Sequence, residues 1–171
     1  MPQRFDALNP SVNQTIQLRI TSDLSALDRV LNWFDTLDRP QIPRTVWIQC
    51  LSVLAEVFTN AVRHAHANRP ASTPIELEAE LTATSLTLRL WDHGDPFDLC
   101  AAVRQRADQD DPIESAIDQL SSGGRGLQIL DRVADRLSYD PQPDGRNLLE
   151  FVKYFEPVPL PLEPAGQPGE S

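Results

Sequence analysis

LSVLAEVFTNAVRHAH, residues 51–66, decides how the rest of the chain is read. Leu51, Leu54, Val57, Phe58 and Val62 recur at three- and four-residue spacing, which predicts a helix with one apolar side. Trp47 extends that side backward, and Pro43 suits a first helical turn, where a missing N–H costs little. The helix is expected to run from Pro43 to about 66–68, ahead of Pro70. Glu56 and Asn60 are four residues apart and share one face. His64 continues that face for another turn, whereas His66 points elsewhere. Asn is a mediocre residue for a helix interior, so its place beside the apolar stripe invites a reason. Its side-chain oxygen can ligate Mg²⁺, and a carboxylate one turn earlier can orient or deprotonate a hydroxyl or water. Taken alone, the pair reads equally well as a surface Glu beside a surface Asn.

Around this helix the chain alternates in the two-residue period of strands. TIQLRI (15–20) places Ile16, Leu18 and Ile20 on one face, and IELEAEL (75–81) does the same with Ile75, Leu77, Ala79 and Leu81. SLTLRLWDH (85–93) follows after TATS, so the two runs form an antiparallel hairpin. RLSYD and NLLEFVKYF (147–155) are further strands joined by the turn residues PQPDG. Their one-sided patterns suit a sheet covered by helices on one face only. A first helix is expected over about 23–37, with Ser22 placed to cap it, and another over 127–135. Residues 1–13 read as a loose arm, 14–155 as one domain, and the Pro-rich 156–171 as a disordered or extended tail.

The 171 residues suffice for one domain with a real core. Fifteen basic against twenty-five acidic residues give a formal charge of −10, which argues against a nucleic-acid surface. A nucleotide pocket stays possible, because backbone amides and one metal ion can hold phosphates in an acidic protein. Cys50 and Cys100 are too few for a disulfide framework and read as small apolar residues. The N-terminus lacks the apolar core of a signal peptide, and no window approaches ~18 apolar residues, so a membrane span is not expected. The expected location is the cytoplasm.

Two further stretches make chemical sense beside the Glu56 helix. In LWDHGDPFD (90–98), Asp92 closes an apolar strand and Gly94 follows after one residue. A carboxylate there can accept a hydrogen bond from an adenine amino group, and Gly94 lets the backbone approach the ring. By itself it is also an ordinary polar turn. In SSGGRGLQIL (121–130), Gly123, Gly124 and Gly126 flank Arg125 just before a helix. Glycines there let backbone N–H groups converge on phosphates, and Arg125 adds a cation. The stretch is neither a Walker A loop nor a dinucleotide-binding fingerprint.

Together and in this order, the three stretches resemble the ATP-binding domain shared by gyrase, heat-shock chaperones, histidine kinases and mismatch-repair ATPases. Within that group the chain is most similar to the small bacterial anti-sigma-factor serine/threonine kinases. The resemblance spans about residues 15–155. It implies a Bergerat-type ATP-binding fold: an α/β (α+β two-layer) sandwich whose mixed, mainly antiparallel sheet carries helices on one face. It implies ATP and Mg²⁺, with Glu56 as general base, Asn60 as the Mg²⁺ ligand and Asp92 with Gly94 reading adenine. Gly124 and Gly126 would lie under the phosphates beside Arg125, with Leu127 beginning the next helix. It further implies phosphorylation of an anti-sigma-factor antagonist protein, contact with a sigma factor, and a homodimer. The reading from another class is an ATP-binding or nucleotide-free interaction module without phosphoryl transfer.

Overall fold

A computed structural model describes residues 13–96 and 126–159. Most of the expected arm, the acidic loop 99–120, Phe97, Gly123, Gly124, Arg125 and the tail from residue 160 lie outside the described residues. The elements are β1 (Gln14–Thr21), α1 (Leu27–Asp35), α2 (Arg44–Asn60), β2 (Pro74–Leu81), β3 (Ser85–Asp92), α3 (Gly126–Val133), β4 (Arg136–Pro141) and β5 (Asn147–Tyr154). The five strands form one sheet in the order β1-β2-β3-β5-β4. Every pairing among the described strands is antiparallel, so the mainly antiparallel sheet expected from the sequence is present.

Alternation in sequence becomes alternation in burial. Ile75, Leu77, Ala79 and Leu81 of β2 and Leu86, Leu88 and Leu90 of β3 are buried, as are Leu149 and Phe151 of β5. The helices cover this face, and α2 lies against α1, α3 and β3. Burying a large apolar side chain contributes roughly 1.5–3 kcal/mol, and α2 alone buries Val46, Trp47, Cys50, Val53, Leu54, Val57 and Phe58. The Trp47 ring stacks on Phe34 of α1 with centroids 4.5 Å apart. Cys50 is fully buried, and burial pushes its thiol up to about 12, as suits a packing residue.

The other sheet face is polar. Arg89 sits between Glu78 (2.7 Å), Glu80 (3.2 Å) and Glu150 (2.7 Å). Burial opposes its charge, yet these carboxylates more than offset the cost and raise its pKa.

Two local expectations need correction. Asp23, not Ser22, is the cap: its Oδ1 accepts from Ser25 N at 2.8 Å and opens a 3₁₀ turn, Leu24–Ala26, ahead of α1. Ser22 is buried instead, its N–H donating to Ala71 O (2.9 Å). The helical run Arg44–Ala65 is long and apolar enough to cross a membrane by length and composition alone, with mean hydropathy 1.3, a test that a core helix also passes. Val46, Trp47, Cys50, Val53, Leu54, Val57 and Phe58 of that run are buried in the core, whereas Ile48 is exposed. Finally, the α-helix ends at Asn60, and Ala61–Ala65 continue as a π turn in which His66 N donates to Ala61 O at 2.9 Å.

Candidate functional site

Glu56 and Asn60 lie on the last turns of α2, each partly buried. Asn60 Nδ2 donates to Glu56 Oε1 at 2.9 Å. That bond occupies the amide's donor side and leaves its carbonyl oxygen for another partner. A divalent cation such as Mg²⁺ takes oxygen donors of this kind, so the pair fits the ion that the resemblance implies.

The second group sits at the ends of β3, β5 and β4. Asp92 faces the helices, in register with Leu86, Leu88 and Leu90, and it is 3% exposed. Its backbone partner across β3–β5 is Asn147, also buried. Asp92 Oδ1 accepts from Gly94 N (2.8 Å) and from Asn147 Nδ2 (3.0 Å), while Oδ2 accepts from the Tyr139 hydroxyl (3.0 Å). Asn147 Nδ2 also reaches Gly94 O at 2.9 Å. Burial and the Asp92 charge push the Tyr139 phenol up, so it remains a donor.

Gly94 matters for a reason the sequence did not disclose. A Cβ on it would stand 2.7 Å from the Cα, Cβ and carbonyl oxygen of Ala65. The missing side chain therefore lets the loop press against the π turn after α2, which ties the Asp92 loop to the Glu56–Asn60 helix. His66 completes the tie, because its Nε2 accepts from His93 N at 2.9 Å. An Nε2 that accepts requires the neutral ring's proton on Nδ1. His64, expected to continue the Glu56 face, is exposed, whereas His66 is buried. The wider π turn changes the phase on which the expectation rested, as such turns do where they occur inside helices.

Burial lowers the His66 pKa; Asp92 opposes this, and His93 and Arg69 add to it. Above its ordinary value of 6.5, folded and unfolded imidazoles are both neutral and the stability contribution is full. As pH falls below that value the unfolded chain takes the proton first, and stability is lost through the depressed folded pKa. The expected result is a urea midpoint that falls between about pH 7 and 5, with a shallower fall in His66→Gln. An identical slope in wild type and variant would remove His66 as the cause.

Of the residues singled out from sequence, the structure pairs Glu56 with Asn60 and joins Asp92 to Gly94. Gly126 begins α3, with Leu127 next in that helix, while Gly124 and Arg125 lie outside the described residues. Tyr139 and Asn147 were missed. A signal existed, since each holds an inward register: Asn147 with Leu149 and Phe151, Tyr139 with Leu137.

The family model for the histidine kinase-like ATPase domain matches residues 20–153. No curated protein shows a match. A chain in "The crystal structure of SiaB-SiaC complex from Pseudomonas aeruginosa" is similar at 15% identity and a TM-score of 0.51, over 82% of this chain and 89% of that one. At that identity the likeness is one of fold. The family match takes in α2, the Asp92 loop and all of β2 to β4, and the chain belongs to the histidine kinase-like ATPase domain family.

Proposed function

We propose that this chain is an ATP- and Mg²⁺-dependent serine/threonine protein kinase that acts as an anti-sigma regulatory factor by phosphorylating a small antagonist protein. The observation that carries the reading is the Glu56–Asn60 hydrogen bond at the end of a core helix. One Glu56 oxygen is fixed by the amide, and among the described residues the other has no hydrogen-bond partner. A fixed carboxylate with one open oxygen is what a general base requires. Family membership and the likeness in fold to a chain of the SiaB-SiaC complex support the setting.

In this reading Asp92 accepts a hydrogen bond from the adenine amino group, and Gly124, Arg125 and Gly126 hold the phosphates, with Leu127 next after Gly126 in α3. Glu56 takes the proton of the incoming serine or threonine hydroxyl as its oxygen bonds to the γ-phosphorus. The bond from that phosphorus to the β-phosphate oxygen breaks, and ADP leaves with the electron pair. Mg²⁺, when bound at Asn60, supplies charge neutralisation for the phosphates. Positioning and electrostatic stabilisation then carry most of the rate, as is general for phosphoryl transfer. The partners that follow are the antagonist protein, a sigma factor and a second copy of the chain.

Calorimetric titration of ATP with and without Mg²⁺, followed by transfer from γ-labelled ATP to small proteins of the host, tests the proposal. Mg²⁺-dependent binding and an acid-stable phosphoserine or phosphothreonine are expected. Binding without transfer would overturn the kinase assignment in favour of a nucleotide-binding interaction module.

A further inference from the structure

The two ends of the site lie on different elements, and His66 stands where they meet. Glu56 and Asn60 lie at the end of α2, and the π turn Ala61–Ala65 separates Asn60 from His66. Asp92 ends β3, with His93 next in the chain. His66 Nε2 accepts from the His93 backbone N–H at 2.9 Å. The His66 backbone is held on both sides, its N–H by Ala61 O (2.9 Å) and its carbonyl by Arg69 N–H (3.0 Å). The ring itself is buried, beside the His93 ring with centroids 6.1 Å apart.

Only one of the three forms of this ring can make the contact to His93. The neutral ring with its proton on Nδ1 leaves a lone pair on Nε2 for the His93 N–H. The other neutral tautomer and the charged ring both place a proton on Nε2, which would then face a second N–H. The fold keeps the first form although, among the described residues, its buried Nδ1 has no hydrogen-bond partner. A buried donor left unpaired is costly, and the bond to His93 is what offsets that cost.

We infer that His66 is a positioning residue: by accepting the His93 N–H its neutral ring sets the span between the Asp92 end of the site and the Glu56–Asn60 end, so that protonating the ring loosens the hold on nucleotide. The inference rests on the reading of these two ends as one nucleotide site. Gly94 packs directly on Ala65, so a proton on Nε2 that pushes His93 away lifts the Asp92 loop from the π turn. The groups that face the ring are Asp92 and His93 at the end of β3 and Arg69 in the loop after the π turn. Burial disfavours the charged ring; Asp92 opposes this, and His93 and Arg69 reinforce it. The neutral form therefore holds at neutral pH, and the hold on nucleotide is lost as pH falls through the depressed pKa.

The test compares wild type with His66→Gln, whose amide oxygen can accept the His93 N–H but does not titrate, and with His66→Phe, which cannot accept. ATP binding to the full chain in Mg²⁺ is measured by calorimetry from about pH 7.5 to about pH 5.5, well below each protein's melting temperature. The wild-type His66 ring is followed by nitrogen NMR without nucleotide. Protonation of ATP itself affects all three proteins alike, so ratios of affinity carry the result. At the upper pH, His66→Gln should bind as wild type does and His66→Phe several-fold more weakly. Toward the lower pH, wild type should lose about fivefold in affinity relative to His66→Gln, the size of one hydrogen bond. The NMR signals should show Nδ1 protonated and Nε2 bare until the ring takes its second proton. Parallel pH curves for wild type and His66→Gln, or His66→Phe binding as tightly as wild type, would overturn the inference and leave His66 a packing residue. Wild type that binds no ATP at any pH would overturn the ATPase reading, and the positioning role with it. In that case the NMR signals still report separately whether His66 holds the His93 N–H.

Discussion

Glu56→Gln is expected to lower phosphoryl transfer by about 10²–10⁴-fold, the usual contribution of a positioned general base, while Mg²⁺-dependent ATP binding stays close to that of wild type. Glutamine is the informative substitution because it retains an oxygen to accept from Asn60 Nδ2. The 2.9 Å bond that orients the amide therefore survives, and its carbonyl oxygen stays available to the metal ion. Only the basicity is removed. Expressed as a barrier, the loss is about 3–5 kcal/mol, far above what a disturbed surface pair contributes. Asn60→Ala should give the complementary result: weaker binding of ATP in Mg²⁺ and a smaller gap between titrations with and without the ion. Single-turnover transfer measured at saturating ATP separates the two. Wild-type transfer by Glu56→Gln would remove the residue from the chemistry.

Much of the scaffold could be read before any coordinates, and the reason is physical. A sheet with one covered face imprints a two-residue period on its strands, and β2 and β3 carry that period cleanly. The apolar stripe of α2 is set by the same burial. The pairing of Glu56 with Asn60 follows from helical geometry alone. The π turn does not, because an i→i+5 bond depends on what the following loop must reach, and no local preference of Ala61–Ala65 signals it. Extrapolating the α-helical phase through it favoured His64 and set His66 aside, whereas His66 is the buried residue that meets His93. Tyr139 and Asn147 illustrate a second limit. Their inward register is visible as a parity in the sequence, but their meeting with Asp92 depends on β5 lying between β3 and β4, and that order is a tertiary fact.

Gly94→Ala carries the largest expected effect on stability, and its size can be argued from contacts. The new methyl would meet the Cα, Cβ and carbonyl oxygen of Ala65, each at 2.7 Å. Two of those three atoms are backbone, so no side-chain rotation relieves the overlap. Overpacking of this kind typically costs about 1–3 kcal/mol, and here the loop must also move away from α2. Such a shift strains the His93 N–H to His66 bond, the Gly94 N–H to Asp92 bond and the Asn147 bond to Gly94 O together. The urea midpoint should therefore fall by the equivalent of about 3 kcal/mol or more, and ATP binding should weaken with it. Gly145→Ala provides the contrast. Gly145 has φ +85° and open space around its Cβ position, so alanine there meets backbone strain alone, about 1 kcal/mol, with nucleotide binding unchanged. Ala65→Gly combined with Gly94→Ala removes one of the three clashing atoms and leaves the two backbone ones. Rescue should accordingly be partial, and the double-mutant cycle should return a coupling between the two positions. Full independence of the two substitutions would mean that the close approach of the Asp92 loop to the π turn does not join the two halves of the site.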